Sequence, residues 1–196
     1  MRSLSRVTVF TGSAPGNDPA YLEAARAVGS VFAQQGTGVV YGGGNVGLMG
    51  AVASAAGRAG GEVIGVMPEA LVDKEIAHHE ITRLEVVPDM HVRKMRMAEL
   101  ADAFVALPGG IGTLEELFEA WTWLQLGIHS KPVALFDVNG FWDPMLALVD
   151  RLVETGFVDA RFREGLVVAT DPHELLETLQ AWEPPAAKWT QPADSV

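Results

Sequence analysis

Three glycines and two carboxylates lie close together in the stretch Pro108-Gly109-Gly110-Ile111-Gly112-Thr113-Leu114-Glu115-Glu116. This stretch follows a short apolar run, residues 103–107, that is typical of a buried strand, and it leads into a helical pattern that begins at Leu114. Glycine lets the backbone approach a ligand closely, and the free N–H groups at a helix start attract anions. The stretch therefore predicts a phosphate-binding loop with an acid, Glu116, placed beside it.

A helix cap is the competing explanation for the same residues. Thr113 precedes Glu116 by three positions, and such a pair forms a capping box that stabilises a helix start without any ligand. A capping box does not require three preceding glycines, so we favour the ligand interpretation.

Arg93 and Lys94 form a second group that is suited to an anion. They follow Asp89 and Met90 in the run Asp89-Met90-His91-Val92-Arg93-Lys94, which predicts the first turns of a helix. The helix dipole disfavours cations at this end, so an anionic ligand nearby would explain their position. The alternative is an exposed ion pair between Asp89 and Arg93 on a solvated helix face.

The composition restricts the classes of protein that fit. The chain has 196 residues, long enough for one well-buried domain. Its formal net charge is −11, and its 14 lysines and arginines form no run, so we expect no nucleic-acid partner. Cysteine is absent, which excludes disulfides and zinc–cysteine sites. The first residues are not followed by an apolar segment long enough for a signal peptide or a membrane span, so we expect a cytoplasmic protein.

Strand-like and helical patterns alternate along the chain, which predicts an α/β fold: a single-domain, Rossmann-like parallel sheet with helices on both faces. The domain spans residues 1–182, and residues 183–196 read as a flexible tail. The segment 67–80 reads as a loop over the sheet edge. Predicted strands cover residues 7–11, 39–41, 63–66, 81–87, 103–107, 132–136 and 165–169, and predicted helices cover 19–35, 48–59, 90–101, 114–126, 141–154 and 171–182.

Three of the predicted strands end in glycine, at Gly12-Ser13, at residues 42–47 and at residues 109–113. Ligands of such sheets bind beyond the carboxyl ends of the strands, so these turns outline one crevice. The pattern Gly42-x-Gly44-x-x-Gly47 matches the dinucleotide fingerprint, but it follows the second strand and lacks a well-placed acid, so a mononucleotide fits better. The histidines show no zinc-binding spacing, and we expect no metal.

With these motifs, the chain resembles the Lonely guy family, the cytokinin riboside 5'-monophosphate phosphoribohydrolases. The resemblance covers nearly all of residues 7–182 and includes the Gly42-Gly43-Gly44 loop, Leu48-Met49-Gly50 and Trp123-x-Gln125-Leu126-Gly127-Ile128-His129. It implies hydrolysis of the N-glycosidic bond of an adenosine-type 5'-monophosphate, which releases the free base and ribose 5-phosphate. The family's essential arginine and glutamate fall on Arg93 and Glu116.

The resemblance implies neither a metal nor an organic cofactor. The shorter members of the family are homodimers whose sites lie close to the subunit interface.

The resemblance and the crevice together define the expected binding residues. The expected substrate-binding residues are Gly12, Ser13, Gly43, Gly44, Glu75, Met90, Arg93, Lys94, Gly109, Gly110, Ile111, Gly112, Thr113, Leu114 and Glu115.

The chemistry of the implied reaction suits these residues. Cleavage of a C–N bond at the anomeric carbon builds positive charge on the ribose, which a carboxylate such as Glu116 stabilises while it activates water. Arg93 would either orient the nucleotide or assist departure of the base. Members of the family have often been labelled lysine decarboxylases, but a pyridoxal enzyme needs a Schiff-base lysine in a cofactor pocket. Only Lys94 lies near the expected site, and the resemblance assigns it to substrate binding.

Two other functions compete with this one. A carrier of a phosphorylated cofactor such as the molybdenum cofactor would have a similar fold, but it would not need both Arg93 and Glu116. A general AMP nucleosidase would need both residues. It would differ only in a pocket of ordinary apolar side chains around the base, which the sequence does not identify.

Overall fold

The computed structural model of the protein describes residues 3–72 and 77–188, which form alternating strands and helices. The strands are β1 (Arg6–Phe10), β2 (Gly38–Tyr41), β3 (Val63–Pro68), β4 (Arg83–Val87), β5 (Ala103–Ala106), β6 (Val133–Phe136) and β7 (Val167–Ala169). The helices are α1 (Pro19–Gln34), α2 (Gly47–Arg58), α3 (Glu69–Val72), α4 (Met90–Leu100), α5 (Ile111–Leu126), α6 (Asp143–Glu154), α7 (Ala160–Glu164) and α8 (Pro172–Ala181).

The strands form one seven-stranded sheet in the order β4-β3-β2-β1-β5-β6-β7, and each pair of neighbouring strands is parallel. β1 lies at the centre, with Val7 opposite Val39 of β2 on one side and Ala103 of β5 on the other. The strand order reverses between β1 and β5. Loops at the carboxyl ends of such strands diverge and leave a crevice, which is where sheets of this type bind ligands.

Helices cover both faces of the sheet. Successive strand residues point to opposite faces, so Val39 and Tyr41 of β2 enter one hydrophobic core while Val40 enters the other. Residues of α1, α2 and α8 complete the first core, and residues of α4, α5, α6 and α7 complete the second. The prediction of a single α/β domain with a parallel sheet and helices on both faces is confirmed.

Several element boundaries differ from the predicted ones. The segment that reads as a loop over the sheet edge contains the end of β3, through Pro68, and the single turn α3. The prediction also omits α7, whose start is capped by Asp159 through a hydrogen bond from the Arg161 N–H. Helices of four or five residues complete barely one turn, so they leave no hydrophobic periodicity to detect.

The end of the described chain lies against α5. The N–H of Lys188 donates to the carbonyl oxygen of Gln125 at 2.9 Å. The predicted flexible tail lies within the described residues only as far as Lys188. Among residues 3–72 and 77–188, no helix is both long and apolar enough to cross a membrane.

Candidate active site

Two strand-end loops meet at the point where the strand order reverses. The hydroxyl of Thr11 and the N–H of Gly12, after β1, both donate to the carbonyl oxygen of Pro108, after β5, at 3.0 and 3.2 Å. Gly109 lies in this contact, where a Cβ atom would overlap the hydroxyl of Thr113 and stand 2.9 Å from the N atom of Gly12. Only glycine allows the two loops to approach this closely.

The start of α5 opens onto this crevice. The helix begins at Ile111, its N-cap is Gly110, and no described side chain forms a cap hydrogen bond with it. The first N–H groups of a helix have no partner within the helix, so these groups are available to an anion. A Cβ atom on Gly110 or Gly112 would meet nothing within 4 Å, because both glycines face open space.

The capping-box alternative is therefore wrong. Thr113 is the third residue of α5 rather than its cap, and its side chain is buried. Gly110, which has no side chain, takes the cap position, so no side-chain cap marks the true helix start.

The start of α2 differs from that of α5. The N–H groups of Leu48 and Met49 donate to the carbonyl oxygen of Gly12, at 3.0 and 3.3 Å. Because the protein itself provides an acceptor for the donors at this end of α2, the start of α5 is the more suitable of the two for an anionic ligand.

Arg93 projects from α4 into the interior rather than onto a solvated face. The Asp89 carboxylate accepts a hydrogen bond from the N–H of Val92 and caps α4, and Arg93 turns away from it. The guanidinium of Arg93 donates through Nε to the carbonyl oxygen of Val66 at 3.1 Å and through Nη2 to that of Gly42 at 3.3 Å. The predicted alternative, an exposed Asp89–Arg93 pair, is wrong.

Arg93 and Glu116 face each other across the crevice. Their Nη1 and Oε1 atoms are 3.8 Å apart, and only 8% and 13% of their side-chain surfaces are exposed. A Cβ atom on Gly42 would overlap the guanidinium, so a glycine at this position makes room for it. Opposite charges that are largely shielded from water attract each other more strongly than exposed ones.

These groups line a cavity of about 230 Å³. Most of its walls come from residues that the sequence predicted, and Thr11 and Met49 are additions. Thr11 is the last residue of the first predicted strand, and Met49 lies in the expected Leu48-Met49-Gly50 motif, so both adjoin residues that the sequence identified. The lining residues are Thr11, Gly12, Ser13, Met49, Arg93, Gly110, Ile111, Gly112, Thr113 and Glu116.

A second cavity of about 200 Å³ adjoins the first one and shares Gly12, Ser13 and Gly110 with it. Its walls are mainly apolar and include Tyr21 and Phe141, whose rings meet edge to face with centroids 5.8 Å apart. Together the two cavities fall in the range of roughly 300–1,000 Å³ that is usual for small-molecule sites.

Gly43 and Gly44, two predicted binding residues, do not line the cavity. The carbonyl oxygen of Gly43 accepts a hydrogen bond from the His78 N–H at 3.0 Å, and Gly44 forms an isolated antiparallel bridge with Ala77. These contacts attach the chain after residue 76 to the loop that holds Arg93. Glu75, which the resemblance assigns to the substrate, lies outside the described residues.

Tyr41 and His78 reinforce this attachment from the interior. The Tyr41 hydroxyl lies 3.0 Å from Nδ1 of His78, and both side chains are buried. Burial raises the pKa of Tyr41 and lowers the pKa of His78. Both side chains are therefore neutral at pH 7 and share a hydrogen bond.

Met90, Leu114 and Glu115 are predicted binding residues that also do not line the 230 Å³ cavity. The sulfur of Met90 lies 3.3 Å from Nη1 of Arg93 and helps to hold the guanidinium. Leu114 packs against the core of its own face of the sheet. Glu115 is more than half exposed and pairs with Lys94.

Lys94 does not line the cavity, and its side chain reaches α5 instead. Its Nζ atom donates to Oε1 of Glu115 at 2.5 Å and to Oε1 of Glu119 at 3.0 Å. Burial alone would lower the pKa of Lys94, but the hydrogen bonds to Glu115 and Glu119 and the negative charges of these carboxylates together outweigh burial and raise that pKa above its ordinary value. Lys94 is therefore a charged, doubly paired ammonium, which is unlike the neutral amine that forms a Schiff base.

Within residues 3–72 and 77–188, no three histidine, aspartate or glutamate side chains are grouped so that they could hold a metal ion. The charged groups around the cavity are Arg93 and Glu116, together with the dipole of α5.

Comparisons with known proteins identify the family of this chain. Residues 49–179 match the family model described as "Possible lysine decarboxylase". The cytokinin riboside 5'-monophosphate phosphoribohydrolase LOG7 of Arabidopsis thaliana is 46% identical over 179 residues, covering 91% of this chain and 82% of its own. The enzyme LOG of Oryza sativa subsp. japonica is 45% identical over 179 residues, covering 91% and 74%.

Solved structures share the fold at lower identity. A molybdenum cofactor binding protein from Rippkaea orientalis superposes with a TM-score of 0.69 at 21% identity, covering 92% of this chain and 98% of its own. The molybdenum cofactor carrier protein of Chlamydomonas reinhardtii gives 0.68 at 22% identity, covering 91% and 99%. Identity this low shows the fold alone. The plant relatives are about twice as similar and match across most of the chain, so this protein belongs to the family of cytokinin riboside 5'-monophosphate phosphoribohydrolases.

Proposed function

We propose that the protein hydrolyses the N-glycosidic bond of adenosine-type 5'-monophosphates, those of cytokinin ribosides in particular, and releases the free base and ribose 5-phosphate. One observation carries the proposal: the largely buried pair of Arg93 and Glu116 stands 3.8 Å apart in the cavity onto which the start of α5 opens. The names of the plant relatives, which share 45–46% identity with this chain, specify the same reaction.

The 5'-phosphate occupies the start of α5 in this proposal. The N–H groups of Ile111, Gly112 and Thr113 and the positive end of the helix dipole provide the attraction. A local positive field is needed because the whole protein carries a formal net charge of −11, which repels an anion at long range. Gly110 and Gly112 leave the space that the phosphate fills.

Glu116 performs the chemistry at the other end of the ribose. Side chains on a helix lean towards its N-terminus, so the carboxylate reaches back from the second turn of α5 towards the bound sugar. Water adds its oxygen to C1' as the C1'–N bond breaks, and the proton that the water gives up passes through the carboxylate to the departing base. The negative carboxylate also stabilises the positive charge that develops on the ribose.

Arg93 orients the reacting groups. A guanidinium remains protonated at any physiological pH, so it does not serve as the acid that protonates the base. Its contacts to the carbonyl oxygens of Val66 and Gly42 fix it beside Glu116. From this position it aligns the carboxylate and donates to the nucleotide. Neither a metal nor an organic cofactor takes part.

The test is incubation of the purified protein with AMP and with N6-isopentenyl-AMP, followed by quantification of released base and ribose 5-phosphate. We expect equal amounts of both products, higher kcat/KM for the N6-substituted nucleotide, and little turnover of adenosine, which lacks the phosphate. Equal kcat/KM for both nucleotides would identify a general AMP nucleosidase. Failure to release base from either nucleotide would refute the proposed function.

We also propose that the protein is a homodimer formed through α4 and α5. Large apolar side chains are exposed on this side of the molecule, among them Met95, Ile111 and Ile128, the last two at 82% and 64% exposure. A groove of about 370 Å³ lies there between Met95, Trp123 and Ile128. Because Ile111 also lines the candidate site, a partner on this surface would cover the site's entrance.

Light scattering tests the dimer directly. The wild-type protein should have twice the mass of one chain, and Ile128→Glu should reduce the mass to that of one chain because a buried charge opposes association. Leu148→Glu, which alters an exposed leucine on α6, is the matched control and should leave the mass unchanged. An active wild-type monomer at micromolar concentration would exclude the dimer.

We also propose a cytoplasmic location. The absence of cysteine suits a reducing compartment.

A further inference from the structure

A second set of charges joins α4 to α5 beside the candidate site: the Lys94 ammonium and the carboxylates of Glu115 and Glu119. We propose that Lys94 is a positioning residue that fixes α5 against α4 and thereby sets the separation of Arg93 and Glu116. The proposal rests on the proposed function and departs from the family resemblance, which assigns Lys94 to the substrate.

The spacing of these residues couples the two sets of charges. Lys94 follows Arg93 on α4, and Glu115 precedes Glu116 on α5, so each partner of Lys94 is fixed to the same rigid helix as a catalytic group. Glu115 and Glu119 are four residues apart and therefore share one face of α5. An ammonium bound to both resists sliding and rotation of α5 relative to α4.

The surroundings of Lys94 leave no space for a nucleotide. Lys94 is 9% exposed and does not line the 230 Å³ cavity. The space that it shares with Glu116, Glu119 and the ring of Phe104 has a volume of only about 10 Å³. That is roughly the smallest cavity that holds one water molecule. In this arrangement the ammonium meets carboxylates rather than substrate.

Charge compensation gives Lys94 a second effect. Glu115, Glu116 and Glu119 place three carboxylates on neighbouring positions of α5, and Arg93 and Lys94 bring two cations to them. This balance leaves one negative charge to stabilise the developing charge on the ribose. Without Lys94, Glu115 and Glu119 would repel each other and Glu116, and α5 would lose the two ion pairs that join it to α4.

The test compares Lys94→Met and Glu119→Gln with the wild-type protein. Methionine keeps most of the length of the lysine and removes its charge, and glutamine removes one of the two partner charges while it keeps the shape of the side chain. Glu119 is chosen over Glu115 because the resemblance gives Glu115 a substrate contact. The measurements are kcat with the nucleotide substrate, the dissociation constant of ribose 5-phosphate and the melting temperature.

Arg96→Met provides a matched control on the same helix. Arg96 pairs with Glu85 at 2.7 Å and with Glu99 at 3.1 Å, so it is also a cation bound by two carboxylates, but it faces away from the cavity. A loss of helix stability alone would lower the melting temperature of both variants and leave kcat unchanged. Lys94→Arg is the rescue variant, because a guanidinium also reaches two carboxylates.

We expect Lys94→Met to lower kcat about tenfold and Glu119→Gln to lower it about threefold, with the affinity for ribose 5-phosphate unchanged within about twofold. Arg96→Met should keep its kcat, and Lys94→Arg should recover most of it. An unchanged kcat in Lys94→Met overturns the proposal. A weakened affinity for ribose 5-phosphate in Lys94→Met, with Glu119→Gln unaffected, also overturns it, because Lys94 then contacts the substrate. A wild-type protein that releases no base refutes the proposed function instead.

Discussion

The guanidinium of Arg93 and the carboxylate of Glu116 come from different helices and meet at 3.8 Å, while each keeps one side towards the cavity. This separation is longer than a direct hydrogen bond, so the two groups attract each other without saturating each other. The guanidinium is held mainly by main-chain oxygens. The guanidinium therefore has a fixed position beside the carboxylate, and both groups line the cavity.

The substitution Glu116→Gln distinguishes a loss of catalytic rate from a loss of folding stability. Glutamine keeps the shape of the side chain and loses the charge, and Glu116 is not part of a capping box whose loss would unfold α5. Because general acid–base catalysis contributes roughly 100- to 10,000-fold, kcat should fall by about a hundredfold or more while the melting temperature changes little. Steady-state kinetics and thermal unfolding measure the two effects. Glu99→Gln, at an exposed position of α4, is the control, and near wild-type turnover in Glu116→Gln would contradict a catalytic role.

The substitution Arg93→Lys tests whether the fixed orientation of the guanidinium matters, because the positive charge itself is retained. Lysine retains the positive charge but cannot reproduce the donors that reach Val66 and Gly42. We expect kcat/KM to fall by at least about tenfold, because the charge near Glu116 loses its fixed position. Arg93→Ala should be worse for both activity and stability, since it leaves two buried carbonyl oxygens without their donor, at a cost of about 1–3 kcal/mol. Full activity of Arg93→Lys would show that charge alone suffices.

Gly112→Ala and Gly109→Ala form a matched pair at the start of α5. A Cβ atom on Gly112 meets no protein atom within 4 Å, so alanine should stabilise the helix by roughly 0.5–1 kcal/mol while it narrows the phosphate site and raises KM. A Cβ atom on Gly109 would overlap Thr113, so alanine there should destabilise the fold by about 1–3 kcal/mol. Urea unfolding and kinetics on both variants check these opposite effects. A raised stability of Gly112→Ala with unchanged KM would place the phosphate elsewhere.

The sheet could be predicted from the sequence because most of its strands are short apolar runs, and three of them lead into glycine-containing turns. The same runs located the crevice, since parallel strands bring their carboxyl ends together. Arg93 and Glu116 stood out because a cation at a helix start and an acid after a glycine loop both call for an explanation. These signals are local, and each depends only on residues near one another in the chain.

Other features depend on contacts between distant elements and leave no local signal. Nothing near Lys94 in the chain shows that it pairs with Glu115 and Glu119, because that pairing depends on how α4 packs against α5. The true start of α5 was missed because its cap, Gly110, has no side chain. Likewise, the roles of Gly43 and Gly44 in holding residues 77 and 78 follow from long-range contacts.

His129 should make the folded protein less stable in mild acid. The Lys131 N–H donates to Nδ1 of His129 at 3.1 Å, so Nδ1 carries no proton and Nε2 donates to the carbonyl oxygen of Ala120 at 2.9 Å. Burial lowers the pKa of His129 below its ordinary value of 6.5, and outweighs the opposite effect of the bond to Ala120. Protonation would place a hydrogen on Nδ1, directly against the N–H of Lys131.

The sign of the pH effect follows from this lowered pKa. Below about pH 6.5 the unfolded chain binds a proton that folded His129 does not accept, so the free energy of unfolding should decrease as the pH falls from 6.5 towards the pKa of the folded state. His129→Gln, which replaces the titrating ring with a neutral amide, should reduce this decrease. His78, whose pKa is lowered by burial, should retain its own share. Urea unfolding between about pH 7.5 and 5.5 measures how the free energy of unfolding changes with pH. His173→Gln, at an exposed position, is the control. An identical pH dependence in wild-type and His129→Gln proteins would show that His129 takes up its proton as readily in the folded state as in the unfolded chain.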